Sequence, residues 1–116
     1  IKGVNKGDSI GYGRSFTAPN DLEIAIIPVG YADGFPRVLG NGNGGVYIND
    51  KYCPTVGNVC MDMIMVDLSN VNTLEGDVVE IIGVNQSVAQ LATRIGTIPY
   101  EVMTGFSSRL PRIYIN

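Results

Sequence analysis

The sequence contains no histidine. A Ser–His or Cys–His nucleophile is therefore excluded within this chain, and a metal site would have to be built from carboxylates alone. Cysteine is nearly as scarce. Cys53 and Cys60 have six residues between them and match neither a C-x-x-C motif nor a zinc-ligand pattern. Charge is sparse too: 16% of residues are charged, the net charge is −3, and the basic residues are scattered. That leaves no footprint for nucleic acid, although one arginine can still meet a small anion. No apolar run approaches the ~20 residues of a membrane helix, and no signal-like segment is present. Two cysteines and no signal-like segment fit a cytoplasmic protein. The chain opens without methionine and stops inside an apparent strand, "RIYI". Residues 1–116 therefore read as one domain of a longer protein.

What is there is mostly β. Hydrophobic residues make up 45%, enough to bury a core. The runs "LEIAIIPV" (22–29), "GVYI" (45–48), "MIMVDL" (63–68), "DVVEII" (77–82) and "RIYI" (112–115) are rich in β-branched residues and read as strands. Asn49-Asp50 reads as a hairpin turn. Short strands with many turns predict a mainly β fold, a small barrel-like domain or a sandwich. Helix signals are confined to the C-terminal third. Ser87 and Gln90 form a capping box. Val88, Leu91, Ala92 and Ile95 then share one face, and Gly96 is the stop. A second short helix is predicted from Pro99, where the missing N–H costs nothing, to Gly105.

Several motifs invite a functional reading. "GNGNGG" (40–45) fits G-x-G-x-x-G, but a strand follows where a dinucleotide site needs a helix, so it reads as a loop. "NQS" (85–87) matches a glycosylation sequon, and Ser87 is better used as a helix cap. Met61, Met63 and Met65 alternate, which suits one strand face. Met63 and Met65 read as core filler. Met61 differs in context, because it sits in "GNVCMD" just past a glycine turn, beside Cys60 and Asp62, but from composition it too reads as core packing. "GYADGFPR" (30–37) puts Tyr31 and Arg37 on a loop after a strand, where functional side chains concentrate. Tyr12 lies between two glycines in "GYGRSFTA", a context that allows close approach of another surface.

Taken in order, "GYGRSFTA", "PVGYADGFPR", "GNVCMD", "PYEVMTGFSSRLPR" and the terminal "IYI" resemble the C-terminal domain of the alanine racemase family, enzymes of fold type III that depend on pyridoxal 5'-phosphate (PLP). The resemblance covers nearly the whole chain. It implies an N-terminal α/β barrel, outside this sequence, that holds PLP through a lysine. It further implies a β-rich C-terminal domain that packs on the barrel of a second subunit in a head-to-tail homodimer. None of the three lysines, Lys2, Lys6 and Lys51, lies in a segment resembling the PLP-lysine motif.

The resemblance also assigns roles. Tyr12 matches the catalytic tyrosine, which exchanges a proton on one face of the partner subunit's substrate while the barrel lysine serves the other face. Met61 matches the residue whose backbone N–H meets the substrate carboxylate. Tyr31, Arg37 and Asp62 match the entryway. Tyr100 matches a tyrosine that contacts the PLP phosphate and narrows the entrance. Retaining tyrosine at position 100 favours alanine over serine as substrate. Many members carry arginine where Asn58 stands, so the charge of the corridor differs here. The implied activity is interconversion of L- and D-alanine, which supplies D-alanine for peptidoglycan. The alternatives are a serine or broad-specificity racemase domain, or a non-catalytic β-barrel interaction module. The isolated chain is expected to be inactive. In it, Tyr12 is expected to titrate as an ordinary phenol, near ~10. An apolar or aromatic patch is expected where the barrel docks. No metal, nucleic acid or membrane partner is implied.

Overall fold

In the computed structural model, the structure describes residues 1–10, 16–18, 21–108 and 110–111. Tyr12 and the expected strand at 112–115 lie outside the described residues.

The described residues form eight short strands and two helices. These are β1 (Lys2–Val4), β2 (Ser9–Ile10), β3 (Phe16–Thr17), β4 (Leu22–Ile27), β5 (Gly45–Ile48), β6 (Lys51–Pro54), β7 (Ile64–Asp67), β8 (Val79–Glu80), α1 (Val88–Ile95) and α2 (Pro99–Thr104). Two 3-10 turns, Tyr31–Asp33 and Arg37–Leu39, sit between β4 and β5. All pairings are antiparallel: β1-β4-β7 in one sheet, β6-β5-β8 in another, and β2 with β3. The coarse expectation, mainly β with two short helices in the C-terminal third, holds.

β4 explains its own apolar sequence. Ile24 packs on one side with Val4, Ala18, Val56 and Met65, whereas Ala25 and Ile27 join the main core with Val46, Ile64 and Val66. A strand covered on both faces needs apolar residues at consecutive positions. The two larger sheets are joined through β7: Thr55, one residue past β6, bridges to Val66. Val56 N–H then donates to Met65 O at 2.8 Å.

The hairpin turn falls where the sequence put it. Asn49 and Asp50 have φ of 50° and 63°, and Ile48 pairs with Lys51. Two successive left-handed residues define the turn that matches strand twist. α1 begins on the reciprocal cap, with Gln90 N–H donating to Ser87 Oγ (3.1 Å) and Ser87 N–H to Gln90 Oε1 (2.8 Å). It buries Leu91 and Ala92 and ends at Gly96 with φ of 77°, a conformation that glycine adopts without a Cβ penalty. "GNGNGG" is a loop running into β5, as expected.

Some expectations need correction. The 77–82 run is a strand only over Val79–Glu80. Met65 is core, but Met63 precedes β7 and is exposed, so it does not fill the interior. No helix among the described residues is long and apolar enough to cross a membrane.

Candidate functional site

The chain leaves β4 at Ile27 and turns sharply at Gly30–Asp33. Asp33 closes this turn. Its Oδ2 accepts the Gly30 N–H at 3.0 Å, while its own N–H donates to Gly30 O at 3.0 Å. The next two amides point outward onto a second segment. Tyr31 N–H donates to Cys60 O and Ala32 N–H to Met61 O, each at 3.0 Å. Cys60 N–H in turn donates to Met63 O at 3.0 Å, which tightens the 60–63 bend. Gly30 faces this bend so closely that a Cβ there would lie 2.5 Å from Met61 C and also against the carbonyl oxygens of Cys60 and Met61. Only glycine fits that contact.

Through these two bonds Tyr31 meets Cys60 and Ala32 meets Met61, and Asp62 follows directly. Arg37 joins them: its guanidinium carbon lies 5.7 Å from the centroid of the Tyr31 ring, within the range of a cation–π contact. Tyr31 and Met61 are both solvent-facing, with 43% and 53% of their surface exposed. The Met61 side chain is thus not a packing residue. Its carbonyl is held, and its N–H donates to no acceptor among the described residues. Asn58 sits one turn earlier and accepts from Asn41 Nδ2 at 2.8 Å, tying this bend to the 40–44 loop.

Tyr100 arrives from a different element. It stands at the start of α2 and is 75% exposed, with Met103 exposed on the same short helix and Ile98 exposed at its N-cap. The far end of α2 is fastened to the 30–34 turn, since Ser107 N–H donates to Asp33 O at 3.1 Å. The structure therefore gathers Tyr31, Arg37, Met61 and Asp62 on two adjoining bends and anchors the helix bearing Tyr100 against one of them. Val38 is exposed as well, and the surroundings of Tyr12 lie outside the described residues. Gly30 and Asp33 escaped sequence reading as site residues. Their signal was the Gly-x-x-Asp spacing, in which a carboxylate three residues on can cap the turn it closes.

The chain does not by itself fit PLP. A carbonyl cofactor of that kind requires an amine within the site, and Lys2, Lys6 and Lys51 are all exposed and belong to β1, the turn after it and β6. What the described residues offer is a rim of phenols, one guanidinium and a backbone donor.

A β-rich module that presents such a rim, without the amine, has the makings of one part of a composite site. The chain belongs to the family of the alanine racemase C-terminal domain, whose model matches residues 1–114. It is 46% identical over its full length to an alanine racemase of Geobacter sulfurreducens, covering 32% of that protein. It resembles the crystal structure of alanine racemase from Bartonella henselae with covalently bound pyridoxal phosphate, with a TM-score of 0.93 and 40% identity over 98% of this chain and 32% of that one. The alanine racemase structure from Bacillus anthracis with bound L-Ala-P gives a TM-score of 0.91 and 38% identity, over 99% of this chain and 30% of that one. The chain spans about a third of the length of the curated relatives it matches.

Proposed function

We propose that this chain is the domain of a PLP-dependent alanine racemase that completes the active site of a partner subunit, and that it serves the interconversion of L- and D-alanine for peptidoglycan synthesis in the cytoplasm. The reading rests above all on the match to alanine racemases along nearly the whole chain. The remaining parts are a PLP-holding barrel in the same polypeptide and a second subunit in a homodimer. The bridge from Thr55 to Val66 supports a barrel-like closure of the strands, because it links the two three-stranded sheets edge to edge.

Each residue then has a task. PLP, when bound by the barrel, withdraws electrons and makes the α-hydrogen of alanine acidic. Tyr12 holds or takes a proton at its phenol oxygen on one side of the α-carbon. A free phenol titrates near ~10 and is mostly protonated at neutral pH, so cationic neighbours from the barrel must favour its ionised form. Met61 N–H receives the substrate carboxylate; among the described residues it donates to no backbone carbonyl, which supports that role. Tyr31, Arg37 and Asp62 line the approach. Tyr100 extends its phenol from α2 toward the cofactor phosphate and narrows the entrance, which favours alanine over serine.

The test is α-proton exchange in the full-length enzyme, wild type against Tyr12→Phe, with deuterium wash-in followed separately from L- and D-alanine. The expected result is loss of exchange chiefly from one enantiomer. Wild-type exchange from both would make Tyr12 a structural tyrosine and overturn the assignment. The isolated chain with added PLP is expected to give no turnover.

A further inference from the structure

We propose that Gly30 and Asp33 are positioning residues for the substrate-carboxylate donor, acting on it through the Cys60–Met61 peptide; this rests on the reading of Met61 as that donor. The N–H of Met61 and the C=O of Cys60 belong to one planar peptide unit. The carbonyl end of that unit is held by Tyr31 N–H at 3.0 Å. Fixing one end of a rigid plane aims the other end. A hydrogen bond accepted at the carbonyl also polarises the unit and strengthens its N–H as a donor. The next peptide is held in the same way, with Ala32 N–H on Met61 O at 3.0 Å. Met61 is therefore clamped on both sides by consecutive amides of one short turn.

Two features make the clamp work. Gly30 carries no side chain at the point of closest approach, where a Cβ would collide with Met61 C at 2.5 Å. The collision is with backbone, which cannot swing away as a side chain could. Asp33 sets the turn that presents the two amides, through its carboxylate on Gly30 N–H at 3.0 Å. Neither residue contacts substrate in this scheme. Both act through the Met61 amide.

The expected kinetic signature follows from where the donor acts. The carboxylate keeps its charge while a proton moves at the α-carbon, so the contact binds ground state and transition state alike and its loss appears in KM. In the full-length enzyme, Gly30→Ala is expected to raise KM for L-alanine about ten- to a hundredfold, the range of a hydrogen bond to a charged group, with kcat little changed. Asp33→Ala is expected to raise it about three- to tenfold, and Asp33→Asn, which keeps an oxygen acceptor, to restore it toward wild type. The second readout is the Met61 amide resonance in enzyme labelled with 15N-methionine, identified by its loss in Met61→Leu. Propionate, a carboxylate without the amine, is the probe. It should shift that resonance in wild type and shift it less in Gly30→Ala and Asp33→Ala. A wild-type amide that ignores propionate sinks the reading of Met61, and the clamp with it. An amide that responds equally in wild type and both variants, with KM unchanged, leaves Met61 standing and overturns the clamp alone. If Gly30→Ala does not fold, Asp33→Ala decides, because its backbone is untouched: an unchanged KM overturns the proposal.

Discussion

Thr55→Val exchanges a hydroxyl for a methyl of the same shape at the junction of the two sheets. Thr55 is 3% exposed. Its hydroxyl oxygen lies 2.6 Å from Leu39 O and 3.1 Å from Gly44 O, and it accepts Gly42 N–H at 3.0 Å. One proton serves one carbonyl at a time. Gly44 O already accepts Thr55 N–H at 2.8 Å, so the hydroxyl donates to Leu39 O. Valine leaves that buried carbonyl without a donor, a loss of about 1–3 kcal/mol. Gly42 is exposed, so water can take over its N–H at small cost. The added methyl returns about 0.8 kcal/mol. The net expectation is destabilisation by about 1.2 kcal/mol. In urea, with a slope of about 1.5 kcal/mol/M for a chain of this size, the midpoint should fall by about 0.8 M. The second observable is local: amide exchange of Gly42 should lose its protection before the global transition is reached. A midpoint equal to or above that of wild type, or a Gly42 amide as slow as before, refutes the reasoning. The result also matters for the site, because Thr55 fastens the loop that runs from Arg37 to β5.

Other expectations follow from burial and charge. Leu91, 2% exposed, is the main anchor of α1; Leu91→Ala should cost about 2–5 kcal/mol in urea unfolding, and a loss under ~0.5 kcal/mol would mean that α1 is not a structural element of the core. Burial, aided by the negative charge of Asp67, pushes the Cys53 thiol up from its ordinary value. Its contribution to stability is therefore complete below the unfolded thiol's titration and is lost as pH rises through the folded one. At pH 8 iodoacetamide should label Cys60 and spare Cys53 until denaturant is added; equal labelling of both in the native protein contradicts this. Asp77 is held below the usual carboxylate range by Leu74 N–H, Thr73 Oγ1 and Asn49 Nδ2. Its stabilising effect is present at neutral pH and lost as pH falls through that lowered value. A carboxyl 13C titration should show the lowered midpoint, and an ordinary one would remove the effect.

Local rules carried far in this sequence where they were strong. The Ser87–Gln90 box, Gly96 and the Asn49-Asp50 turn each encode a backbone state in one or two side chains, and each element lies where they put it. The β-run at 77–82 failed for the opposite reason. Of its apolar residues, Val79, Ile81 and Ile82 are only half-buried against the core and Val78 is exposed, and β5 offers partners to just Val79 and Glu80. β propensity reports fitness for a pleated surface, not the presence of a neighbouring strand. Met63 misled similarly: the alternation Met61–Met63–Met65 has the period of a strand, but the strand begins at Ile64, and the bend at 60–63 turns the first two methionines outward.

The site was legible only in part, because much of it is main chain. Tyr31 and Arg37 could be singled out, since a phenol and a guanidinium on a loop carry visible chemistry. The clamp on the Cys60–Met61 peptide could not be, because its working groups are the N–H of Tyr31 and Ala32 and the C=O of Cys60 and Met61, which every residue possesses. Such a device leaves a trace in sequence only where a side chain is forbidden or where one must hold the turn. Here those positions are Gly30 and Asp33. The exposed Met61 side chain fits the same logic: on the proposed reading the amide does the binding, so the side chain need not be buried. A Met61→Leu variant should accordingly keep KM for L-alanine close to that of the wild-type full-length enzyme. A KM raised as much as in Gly30→Ala would assign the binding to the thioether instead, and the backbone reading of this site would fall.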